Sequence, residues 1–100
     1  MGKTQGNLKE KARIDLQEPR KFKVIIHNDD FTTMDFVVEV LQKVFRYDRQ
    51  NAEALMLTVH KEGKATVGIY SRDIAQTKVS IATKMARDNN FPLKLTYEPV

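Results

Sequence analysis

The sequence contains no cysteine. That absence excludes a disulfide framework, a thiolate nucleophile and any zinc site built on sulfur, and it suits a reducing compartment, so the expected location is the cytoplasm. No apolar run approaches the roughly 18 residues of a membrane span, and the N-terminus has no apolar signal-peptide core, so no membrane association is expected. The opening MGKTQG also lacks the Ser or Thr that a myristoylation site needs at its sixth position. A concentrated field of one charge is missing too. The 17 basic residues are spread among 13 acidic ones, whereas a phosphate-tracking surface gathers its basic residues on one face. The net charge of +4 therefore does not point to nucleic acid.

What is present is 41% hydrophobic and 30% charged residues in a chain of 100, the composition of one globular domain. Residues 1–20 are polar with scattered apolar side chains and end near Pro19, which predicts a flexible tail ahead of a domain over 21–100. A core of this size leaves little mass for a deep enzyme cleft, and a shallow binding site is expected.

From Lys21 to His27, Phe22, Val24 and Ile26 alternate with lysines and Ile25, predicting a strand. The turn-forming Asn-Asp-Asp then interrupts it. Thr32 and Asp35 have capping-box spacing ahead of the apolar series Met34, Val37, Val38, Leu41, Val44 and Phe45, which predicts a helix. Asp48 is the expected cap of a second helix carrying Ala52, Leu55, Met56 and Val59, with Gly63 as its stop. Ala65, Val67 and Ile69 predict the next strand, and Ser71 opens a third helix carrying Ile74, Ala75, Val79, Ala82, Met85 and Ala86. Leu93, Leu95 and Tyr97 form the last strand. With no repeat or internal linker, the order β-α-α-β-α-β implies an α+β fold, a three-stranded antiparallel sheet packed against three helices.

The chemistry concentrates in HNDDFTTMDF, residues 27–36. Neither an HExxH helix nor an EF-hand loop occurs, so no metal or other cofactor is expected. A hydrolase on Asp29, Asp30 and His60 lacks any motif for a nucleophile or oxyanion donors, and the chain reads as a non-enzyme. Taken as acceptors, the Asn28 carbonyl, the Asp29 and Asp30 carboxylates and a neutral His60 suit a compact cation with several N–H donors, such as an ammonium. The residues alone favour a plainer account. In it the loop side chains satisfy turn and helix amides, and His60 is a half-buried histidine on an amphipathic helix.

Asn28-Asp29-Asp30-Phe31-Thr32-Thr33-Met34-Asp35-Phe36-Val37, then Leu55-Met56-Leu57-Thr58-Val59-His60, then Thr77-Lys78-Val79, closely resemble the ClpS family in order and spacing over roughly 21–97. The resemblance implies a small α+β adaptor that recognises destabilising N-terminal residues (Leu, Phe, Tyr, Trp) and delivers their bearers to a Clp AAA+ unfoldase-protease. It implies that Asn28, Asp30 and His60 contact the free α-amino group, while Asp29 shapes the loop and adds negative potential. It further implies a side-chain pocket of Thr32, Met34, Val37, Met56, Val59 and Leu93, with Met34 as a gate against β-branched residues. Helical spacing independently places Met34 with Val37, and Met56 with Val59 and His60, on shared faces. Asp73 and Lys78 map to the surface that meets the N-terminal domain of a ClpA-like or ClpC-like ATPase, and a monomer is expected. Thr33 departs from the proline that many members carry, which predicts a loop less pre-set. The competing reading is a small basic interaction domain for RNA or a ribosomal partner, by fold analogy alone.

Overall fold

The computed structural model describes residues 20–100. Its elements run β1 (Lys21–His27), α1 (Met34–Lys43), α2 (Arg49–Glu62), β2 (Lys64–Ser71), α3 (Arg72–Asp88) and β3 (Lys94–Pro99). The tail expected over residues 1–20 lies, except for Arg20, outside the described residues. β1 is the central strand of an antiparallel sheet ordered β2-β1-β3. Its position follows from its side chains, since Val24 and Ile26 have no exposed surface and need neighbours on both sides. They join Val67 and Leu95 from the flanking strands, and Phe36, Val40, Leu41, Ala52, Val59, Ala75, Ala82 and Ala86 from the helices, in one core cluster. Alanines at Ala75, Ala82 and Ala86, each fully buried, let α3 lie close to the sheet.

Strict alternation fails in β2. Val24 pairs with Gly68 while Ile25 pairs with Thr66, so Val67 is an extra, bulged residue. The side chain of Val67 enters the core at 4% exposure, and its carbonyl accepts from the Tyr47 hydroxyl. Beyond the bulge the faces exchange. Ile69, expected inside with Ala65 and Val67, is 57% exposed, and Tyr70 packs against the core in its place. A Cβ on Gly68 would lie 2.5 Å from the Tyr70 hydroxyl oxygen, so the bare glycine leaves room for that ring. Ile74, expected on the buried face of α3, is also half exposed.

On the side of the sheet away from the helices, Lys64, His27 and Lys94 form one cross-strand row. His27 Nε2 shares a hydrogen bond of 2.8 Å with Thr96 Oγ1. Partial burial, and then the charges of Lys94 and Lys64, hold the imidazole below its ordinary value of 6.5 against a weaker opposing pull from Glu98. A base with a lowered native pKa binds its proton more readily when unfolded. Its contribution to stability is therefore complete above about pH 6.5 and is lost as pH falls from there through the native value. Urea unfolding should show a small stability loss between pH 7.5 and 5.5 that His27→Gln flattens; an identical loss in that variant would assign it elsewhere.

Candidate functional site

The site assembles where the end of β1 meets the end of α2. α2 begins on Asp48, whose carboxylate accepts from Asn51 N at 2.7 Å. It ends at Gly63, whose φ of 91° is the left-handed conformation that a glycine adopts without a Cβ penalty. The Gly63 carbonyl then accepts from Asn28 N at 2.9 Å. That bond docks the first residue of the loop onto the helix that carries His60.

Within the loop, Asp29 is the organiser. Its Oδ1 accepts from Phe31 N at 2.8 Å and Thr32 N at 2.7 Å, and its Oδ2 accepts from Thr32 Oγ1 at 2.7 Å. Partial burial raises the carboxyl's pKa, but the Thr32 side chain, the two backbone donors and the more distant Arg87 together bring it below the ordinary 3.8. Both oxygens are thereby committed to the loop, leaving Asn28, Asp30 and His60 as the polar side chains turned to solvent. Among the described residues none of these three side chains takes part in a hydrogen bond.

Helix α1 opens one residue later than the spacing suggested. The cap is Thr33, whose Oγ1 accepts from Phe36 N at 3.1 Å, and Thr32 donates instead to Asp29. Thr32 was favoured because Asp35 completes its capping box, whereas Thr33 is followed at that spacing by Phe36. Thr33 has φ −72°, inside the range a proline imposes. The residue thus holds a proline-like conformation, and Asp29 supplies the ordering that proline was expected to give. Thr33→Ala should cost about 1 kcal/mol through the lost cap. Thr33→Pro should cost less, because restriction of the unfolded chain returns about 0.4–1 kcal/mol. Thermal unfolding of the two variants checks the order.

Asn28, Asp29, Asp30, Thr32, Met34, Val37, Met56, Val59 and His60 line one hollow of about 270 Å³. That is just below the roughly 300–1,000 Å³ of small-molecule sites and suits one side chain. Val37 at 7% and Val59 at 2% exposure form its apolar base, and Met34, 43% exposed, stands at its edge. Leu93, expected with these residues, is not in the lining. It precedes β3 and is 1% exposed in the core cluster. Among the described residues no group of three or more His, Cys, Asp or Glu is placed to hold a metal ion. None of their helices is long and apolar enough to cross a membrane.

Asp73 and Lys78 stand apart from this hollow, on α3. Asp73 is exposed in the first turn, where a carboxylate complements the positive helix end. Lys78 is turned inward. Its Nζ donates to Val44 O at 2.7 Å and lies 5.7 Å from the Phe45 ring centroid and 5.5 Å from that of Tyr70. The ammonium caps the C-terminus of α1, where Val44 is the C-cap residue and Arg46 turns the chain at φ 64°. No local pattern signals this contact, which joins α3 to the far end of another helix.

Comparison with known proteins places the chain. The family profile described as ATP-dependent Clp protease adaptor protein ClpS matches residues 17–96. The chain is similar to the ATP-dependent Clp protease adapter protein ClpS of Erwinia tasmaniensis, at 49% identity over 98% of each chain. It is also similar to that of Acetivibrio thermocellus, at 46% identity over 92% of this chain and 93% of the relative. Among solved structures, Agrobacterium tumefaciens ClpS2 bound to L-phenylalaninamide superposes with a TM-score of 0.81 at 41% identity, covering 83% of this chain and 100% of that one. The three antiparallel strands and three helices are thus a shared architecture, and the sequence similarity extends beyond the fold. The chain belongs to the ClpS family of Clp protease adaptors.

Proposed function

We propose that the protein binds other proteins through a free N-terminal Leu, Phe, Tyr or Trp and delivers them to a Clp AAA+ unfoldase-protease, without chemistry of its own. The observation that carries this reading is the meeting of unlike walls in one hollow. Asn28, Asp30 and His60 offer acceptors at its rim, and Val37, Val59, Met56 and Met34 offer apolar surface. A chain end with an apolar first residue presents the same two halves, an ammonium with three donors and a side chain to bury. L-phenylalaninamide, held by the Agrobacterium relative, has that chemistry.

Burying a Leu or Phe side chain contributes about 1.5–3 kcal/mol, and each hydrogen bond to the charged amine about 1.5–3, against the cost of ordering a flexible terminus. Micromolar affinity, about 8 kcal/mol, is within reach of such a site only when both halves engage. Internal residues lack the ammonium, and a terminal Ser lacks the anchor. Met34 at the edge narrows the entrance for side chains branched at Cβ, and Met34→Ala should admit Ile and Val. For delivery, Asp73 lies open to a partner such as the N-terminal domain of a ClpA-like or ClpC-like ATPase, with Lys78 behind it supporting α1.

The test is a titration of a fluorescent Phe-initial peptide and its N-acetylated form. Equal affinity for the two would sink amine recognition. Affinity for the free peptide should also fall above about pH 8, as the α-amine loses its proton.

A further inference from the structure

Phe31 is 76% exposed, more than any other large apolar side chain among the described residues. Both of its chain neighbours, Asp30 and Thr32, line the hollow, and Phe31 does not. It therefore stands immediately outside the mouth. It is not there through slackness, because its own N–H and that of Thr32 are tied to Asp29 Oδ1, and Thr32 Oγ1 to Asp29 Oδ2. These bonds fix the backbone from which the ring projects, and an aromatic so exposed to water carries a standing hydration cost.

A chain end anchored by its amine at Asn28, Asp30 and His60 places its first Cα at the mouth. The second Cα lies about 3.8 Å further on, across a trans peptide. The second residue must therefore cross the rim, within reach of a phenyl ring. From this juxtaposition we infer that Phe31 is a specificity-determining residue for the second position of the bound chain end, favouring apolar and aromatic side chains there. The assignment rests on the amine-recognition reading above. Phe31 and the 43%-exposed Met34 then divide the work. Met34 screens the first side chain, and Phe31 covers the second.

The experiment uses the full chain and otherwise identical peptides beginning Phe-Gly, Phe-Leu and Phe-Trp, each also N-acetylated, against wild type, Phe31→Ser and Phe31→Tyr. An aromatic contact of this kind corresponds to about a two- to tenfold effect. Wild type and Phe31→Tyr should bind Phe-Leu and Phe-Trp tighter than Phe-Gly by that factor. Phe31→Ser should bind all three alike while still requiring the free amine. The same preference in Phe31→Ser as in wild type, or no preference in wild type, overturns the assignment of Phe31 and leaves amine recognition standing. Equal binding of the acetylated peptides overturns amine recognition itself.

Discussion

Asp29→Ala should lower affinity for a Phe-initial peptide by about ten- to a hundredfold while leaving the protein folded. The carboxylate need not touch the ligand for this to happen. It holds Phe31 N, Thr32 N and Thr32 Oγ1 in one turn, and bonds to a charged acceptor are worth about 1.5–3 kcal/mol each when fully formed. At a partly exposed loop, water replaces much of that energy, and the remainder appears as order. Without it, Asn28 and Asp30 sample many positions, and binding must supply the energy to collect them, about 1.4 kcal/mol for each tenfold. Asp29→Asn, which retains a carbonyl acceptor, should fall between. Titration with circular dichroism on the same samples decides the matter; wild-type affinity in Asp29→Ala would show that the turn persists without its carboxylate. The pH dependence has a definite sign. Because the native carboxyl titrates below the ordinary 3.8, its contribution is complete above that pH and is lost as pH falls through the native value. The loop should therefore stay intact across the range in which peptide binding is measured.

The second large effect concerns stability. Lys78→Met should lower the melting temperature by on the order of 10 °C. A charged donor to the Val44 carbonyl contributes about 1.5–3 kcal/mol, and its place over Phe45 and Tyr70 about 0.5–1 more. Each kcal/mol shifts a domain of this size by about 4–8 °C. Methionine keeps the length and apolar stem, so the loss isolates the ammonium. Asp73→Ala, which removes only an exposed first-turn carboxylate, should cost about 0.3–1 kcal/mol at most. The pair separates two roles on α3. An unchanged melting temperature in Lys78→Met, with weaker ATPase binding, would return Lys78 to the surface role that the family resemblance implies.

Much of the fold was legible because one-sided periodicity leaves few arrangements. Val24 and Ile26, or Ala75, Ala82 and Ala86, bury the face their spacing predicts. The Asp48 cap and the Gly63 stop are local devices, and local devices announce themselves in sequence. The departures share a different cause. The bulge at Val67 depends on the register with Val24 and Ile25, so nothing within KATVGIYS says that Ile69 will face solvent. Thr33 replaces Thr32 as the cap because Asp29, three residues earlier, captures the Thr32 hydroxyl. Lys78 reaches Val44 across the fold. In the candidate site, helical spacing grouped Met34 with Val37 and Met56 with Val59 and His60. The union of those two groups with the loop needs the bond from Asn28 to the Gly63 carbonyl.

That single backbone bond also makes the site conditional on the whole fold. Asn28 and His60 belong to separate segments, the end of β1 and the end of α2, which the bond from Asn28 N to the Gly63 carbonyl joins. A contact between segments so distant in the chain carries a loop-closure cost that the rest of the fold must offset. A nascent or partly unfolded copy would present a loose acidic loop on one side and a solitary histidine on the other, and neither alone can hold a chain end. Under the proposed function, capture would therefore require the finished fold, because neither segment alone carries both Asn28 and His60.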